Sequence, residues 1–127
     1  MKIHVFEELE IWREARGLAK IIRELTRKDG FKTDFRLCRQ ITSSSGSTMD
    51  NIAEGFERDG NREFIQFLSI AKGSNGETRS QAYRSFDAGF INEDELNDIL
   101  FRTENIRRKI SAMIQYLKNS ERKGNKF

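Results

Sequence analysis

Between Leu96 and Leu117, core-type residues recur at intervals that alternate three and four: Leu96, Ile99, Thr103, Ile106, Ile110, Met113 and Leu117. On an α-helix this spacing lines up one narrow inward seam, whereas the two-residue period of a strand would scatter the same residues over both faces. Such a seam is the kind that interlocks with neighbouring helices, as in a coiled coil. Its start is marked by Asn92-Glu-Asp-Glu95. Asn92 can accept orphan N–H groups of the first turn, the acids suit the positive dipole end, and Glu95 can reciprocate as a capping box. A one-sided helix cannot bury its seam alone, so the rest of the chain must supply partners.

It does so without proline. Leu9, Trp12, Ala15, Ala19, Ile22 and Thr26, broadened by Ile11, Leu18 and Leu25, predict a first helix near 7–28 that Gly30 stops. Phe31 and Phe35 are expected to cover the next junction. Leu37, Ile41, Ser44 or Ser45, Thr48, Ile52 and Phe56 predict a second helix over about 33–57. Its centre, Thr42-Ser-Ser-Ser-Gly-Ser-Thr48, has poor helix propensity, so a loop there stays open beside a close-packed helix. After the turn Arg58-Asp-Gly-Asn61, with Asn61 a candidate cap, the third stripe runs through Phe64, Leu68, Ala71, Asn75, Thr78, Ala82 and Ser85 or Phe86. Asn75 at a core position requires a partner. Gly73 and Gly76 are candidate close-approach positions, and Ala88-Gly89 closes the helix.

These patterns predict an all-α fold, an antiparallel up-down-up-down four-helix bundle in one domain, residues 1–118, followed by a basic, frayed tail, 119–127. The chain's 127 residues suit one domain. No segment approaches the roughly twenty apolar residues of a membrane span, and the start lacks a secretory pattern, so a cytoplasmic protein is expected. The lone Cys38 and lone His4 rule out an internal disulfide and a histidine zinc cluster; each reads as an ordinary helix or surface residue. Trp12, Phe67, Leu100, Phe101, Ile114 and Tyr116 leave enough apolar surface to suggest self-association. The net charge is +3, of which the tail contributes +2. That spread argues against a dedicated nucleic-acid groove.

One combination of residues is more specific. Leu9-x-x-Trp12-x-x-Ala15, Phe31, Gln40, Asn51-Ile-Ala-Glu-Gly55 and Arg58 are followed by Glu63-Phe64-x-x-Phe67-Leu68-x-Ile70-Ala71-x-Gly73-Ser74-x-x-Glu77 and Gly89-x-Ile91. In this order they resemble the S23 ribosomal protein family, small four-helix-bundle proteins often encoded by intervening sequences within bacterial 23S ribosomal RNA genes. The resemblance implies a helical bundle commonly assembled as a ring of about five chains, with poorly defined biochemical activity. The chain departs from the family at Lys32 and Met49, where proline is frequent. It departs again at Thr42-Ser43, where two arginines are frequent; losing that pair weakens a phosphate-binding reading there.

The polar motif positions point to structure or interaction more than to catalysis. Glu54 can pair with Arg58 one turn on, Asn51 can satisfy a buried polar group, and Gly55 permits close packing. Glu63 suits the third helix's N-terminus, Glu77 can meet Gln81, and Arg79 can face a carboxylate of another helix. Phe64, Gly73 and Ser74 complete the motif residues read as structural or interaction positions. No catalytic residue, cofactor site or metal site is assigned, because no positioned nucleophile, Glu-x-x-His pair or phosphate-binding glycine loop is present. The leading expectation is a non-enzymatic oligomeric scaffold or interaction protein, self-associating and open to an unidentified protein partner. RNA or single-stranded DNA binding is the alternative, with Arg107, Arg108, Lys109, Arg122, Lys123 and Lys126 as phosphate contacts. A carboxylate-based enzyme stands third.

Overall fold

The computed structural model describes residues 2–122. Four helices, α1 (Glu10–Leu25), α2 (Phe35–Glu57), α3 (Asn61–Asp87) and α4 (Glu93–Arg122), form an all-α four-helix bundle, with 3-10 turns at Phe6–Glu8 and Phe31–Thr33. Helices adjacent in the chain pack together, and α4 closes back onto α1. The α4 seam lies where its spacing puts it: all of its residues are buried except half-buried Met113. Full burial of each Leu or Ile along it contributes about 1.5–3 kcal/mol. The helix continues to Arg122, past the end of the seam at Leu117.

The helix ends show which local signals prevail. Asn92 and Glu95 form the expected reciprocal box: Glu95 N–H donates to Asn92 Oδ1 and Asn92 N–H to Glu95 Oε1, both at 2.8 Å. Gly89, at φ 79°, ends α3. Its N–H donates to Phe86 O while Phe90 N–H donates to Ser85 O, the paired bonds of a left-handed helix stop. Three expectations need correction. The first helix is shorter than 7–28, because Thr26 Oγ1 donates to Arg23 O and the following N–H groups reach back only three residues, which unwinds α1 before Gly30. Gly30 itself sits at φ −69° and is no left-handed stop. The residue preceding α3 is Gly60, at φ 91°, where a Cβ would be strained, so Asn61 becomes the first helical residue rather than the cap. Phe31 does cover the α1–α2 junction, stacked on Phe90 at 5.2 Å, but Phe35 points outward. Asp34, which the sequence reading passed over, caps α2 by accepting from Leu37 N–H.

The buried line of α1 is Ile11, Ala15, Leu18 and Ile22. Trp12, Ala19 and Thr26 are only half-buried, so the helix is rotated relative to the expected stripe; Trp12 packs edge-on against Phe6 at 5.0 Å.

The serine-rich centre of α2 is helical, and its buried hydroxyls are satisfied. Ser45 and Thr48 donate to carbonyls one turn back, Ile41 O and Ser44 O. Ser44 Oγ donates to Gln81 Oε1 on α3 (2.7 Å) and lies 2.8 Å from Thr78 Oγ1. Small side chains let α2 and α3 approach, and these cross-helix bonds offset the weak local propensity. Asn75 finds half of the partnership its position demands: Nδ2 donates to Thr103 O at 2.8 Å, while the buried Oδ1 has no hydrogen-bond partner among the described residues.

Candidate functional site

The segment Asn51–Gly55 occupies the last two turns of α2 and works against the first half of α3. Asn51 Nδ2 donates to Ser47 O and Ser47 Oγ, and Ser74 Oγ on α3 donates to that same Ser47 hydroxyl at 3.2 Å. Two distant parts of the motif are thus joined by a serine that the sequence reading did not single out. One turn on, Arg58 Nη2 donates to Glu54 Oε2 (2.7 Å), its other branch lies 3.7 Å from Glu63, and the guanidinium stands 4.9 Å from the centre of the Phe67 ring. All three charged side chains are about half exposed, so solvent screens the pairing and it sets orientation more than stability. Gly55 is buried beneath them, and a Cβ there would fall 2.6 Å from Phe67 Cβ and 3.0 Å from Phe64 Cδ1. Phe64 also meets Phe56 edge-on at 6.0 Å.

The remaining motif positions diverge from this cluster. Gly73 and Glu77 are exposed on α3, and a Cβ at Gly73 or Gly76 would meet no atom within 4 Å. They are not close-approach positions within the chain. No hydrogen bond joins Glu77 to Gln81; the carbonyl oxygen of Gln81 accepts instead from Ser44 Oγ on α2. Arg79 donates to Leu100 O and Thr103 Oγ1 of α4, capping a carbonyl of a neighbouring helix, and its charge also helps to lower the pKa of the Glu104 carboxyl on that helix.

The expected basic surface of α4 is largely neutralised. Arg107 makes two bonds to Glu104, and Arg108 reaches Asn105 and the same carboxylate. Lys109 bridges Glu10 and Glu14 of α1. The hydrogen bond from Arg107 holds Glu104 below its ordinary carboxylate value, and bonds to Glu10 and Glu14 push Lys109 up. The side chain of Arg122, together with Lys123 and Lys126, lies outside the described residues.

A different cationic row was missed. Arg16, Lys20, Arg23 and Arg27 line one side of an open groove of about 650 Å³ between α1 and α2, facing Thr42, Ser45, Gly46, Met49 and Asp50. The signal was in the sequence, as a four-three-four spacing of cations. A net charge does not register it, because a sum along the chain ignores helix faces.

Among the described residues no group of three His, Cys, Asp or Glu side chains could hold a metal ion. Cys38 is half-buried, donates to Phe31 O, and burial raises its thiol pKa, which suppresses the thiolate. No described helix is long and apolar enough to cross a membrane.

The profile of the 23S rRNA-intervening sequence protein family matches residues 7–112. The chain belongs to this family. The motif order from Leu9 to Ile91 had implied the same membership. The crystal structure of a protein with unknown function from the S23 ribosomal protein family, from Bacteroides thetaiotaomicron VPI-5482, has a similar fold. The TM-score is 0.75, with 20% identity over 82% of this chain and 97% of that one. At that identity the likeness concerns the fold. No curated protein matches the chain.

Proposed function

We propose that this family member is a non-enzymatic, self-associating helical scaffold whose chains meet through the outer side of α3. The observation that carries the reading is the pair Gly73 and Gly76. Each costs an exposed helix interior about 1 kcal/mol relative to alanine. Neither is used for close packing inside the chain, since nothing lies within 4 Å of a Cβ at either position. Exposed Ile70 and Tyr83 flank them on the same side of the helix. A backbone brought close by a second chain would use both features.

Within each chain we propose an up-down-up-down, antiparallel order in a single domain over residues 1–118, with 119–127 as a tail. Cross-helix pairs support it. Residues advancing along α2, namely Gln40, Ser44 and Ser47, meet residues receding along α3, namely Arg84, Gln81 and Ser74. Asn75 and Arg79 likewise meet Thr103 and Leu100 of α4. Five chains per assembly are carried from the family resemblance, and a cytoplasmic setting is proposed with them. Mass in solution tests the scaffold directly: sedimentation equilibrium should give a multiple of the chain mass. A monomer at every accessible concentration would refute it.

A further inference from the structure

We propose that the α1–α2 groove holds the phosphate backbone of a single-stranded nucleic acid. The inference goes beyond the scaffold reading and needs only one chain.

Arg16, Lys20, Arg23 and Arg27 recur every three or four residues, which sets them on one side of α1 and the turn that follows it. At a rise of about 1.5 Å per residue, neighbours stand about 4.5–6 Å apart along the axis, and the row is on the order of 16 Å long. All four are exposed. None forms an ion pair with a described residue; Arg16 only leans over Trp12, 5.8 Å from the ring centre. This is the reverse of α4, where Arg107, Arg108 and Lys109 are already bound to carboxylates. Two carboxylates, Glu24 and Asp50, also line the groove, so cations outnumber anions four to two.

The floor decides the occupant. Thr42, Ser45 and Gly46 are small, and the space above Gly46 is open, with nothing within 4 Å of a Cβ. An acidic helix docking here would need large apolar pockets for its anchors, and Ala19 and Met49 are the apolar side chains that line the groove. A sugar-phosphate chain needs none, and arginine's planar fork suits phosphate oxygens. Among the described residues no aromatic side chain lines the groove to stack a base. Recognition therefore runs through phosphates and is blind to sequence and sugar.

The test is fluorescence anisotropy of the full chain with labelled oligouridylate and oligothymidylate of about 20 nucleotides. Four neutralised phosphates on a single strand give a log–log salt slope of about −3, so binding should weaken about 50-fold between roughly 50 and 200 mM salt. Removing two contacts with Lys20→Gln/Arg23→Gln should bring the slope to about −1.5. Arg107→Gln/Arg108→Gln should leave affinity within about two-fold, because those cations are already paired. Asp50→Asn removes a repelling charge and should tighten binding about two- to five-fold. That gain cannot arise from a damaged fold, and it decides the matter if circular dichroism shows the double glutamine variant unfolded.

Absence of binding at low salt would overturn the proposal, as would equal loss from the α4 pair or a preference above about ten-fold for one sugar. Equal affinity for polyglutamate, or for vesicles containing phosphatidylserine, would assign the groove to another polyanion and overturn it too. Sedimentation of the same variants separates the two readings, since the groove can fail while the assembly persists.

Discussion

Gly55 and Phe67 are in such close contact that a Cβ on the glycine would lie 2.6 Å from the Cβ of the phenylalanine. A Cβ cannot rotate away, so relief requires α2 and α3 to separate. Gly55→Ala is therefore expected to destabilise the chain by about 1–3 kcal/mol, overriding the alanine's helix preference of about 1 kcal/mol. The urea midpoint should fall. An unchanged midpoint would mean that the helices part without cost.

The opposite sign is expected on the outer side of α3. Gly73→Ala and Gly76→Ala each enter open space. Each should raise the stability of the isolated chain by about 1 kcal/mol. Under the scaffold reading each also inserts a methyl group where another chain packs, so the mass in solution should fall. Higher thermal stability with an undiminished assembly would remove α3 from the interface.

At the start of α4, Asn92→Ala should cost about 1 kcal/mol, the usual loss for a polar cap. The same turn makes stability depend on pH. Burial alone would raise the Glu95 carboxyl, but the Lys28 hydrogen bond and the Asn92 N–H outweigh it and hold the group below its ordinary value of 4.5. A carboxylate depressed by folding stabilises the fold above its unfolded value, and that contribution is lost as pH falls through the lower, folded value. Unfolding midpoints should drop on acidification below about pH 4.5, and Glu95→Gln should flatten part of the drop. An identical pH profile in the variant would show that the turn contributes nothing to acid sensitivity.

Ser44 and Gln81 supply a test of the polar seam between α2 and α3. Their bond is 2.7 Å long, and Ser44 is buried. A double-mutant cycle with Ser44→Ala and Gln81→Ala should yield a coupling of about 1 kcal/mol. Simple additivity would relegate the pair to a bystander.

Much of this architecture can be read from short stretches of chain. The three-four spacing of α4, the Asn92–Glu95 box, Gly89 at the end of α3 and the Asn51–Gly55 motif each act within one or two helical turns, where backbone geometry ties sequence directly to shape. They determined four helices and the family to which the chain belongs. The tertiary structure alone decided how α1 is rotated, that Ser47 joins Asn51 to Ser74, and that the Gln81 carbonyl oxygen accepts from Ser44. It also decided which cations are spent: Lys109 is held by two carboxylates of α1, a helix 95 residues away at Glu14, while Arg16, Lys20, Arg23 and Arg27 face an open groove. The physical reason is range. Periodicity and capping are local, whereas the partner of a charge or a buried amide depends on which helix stands opposite, and at what rotation.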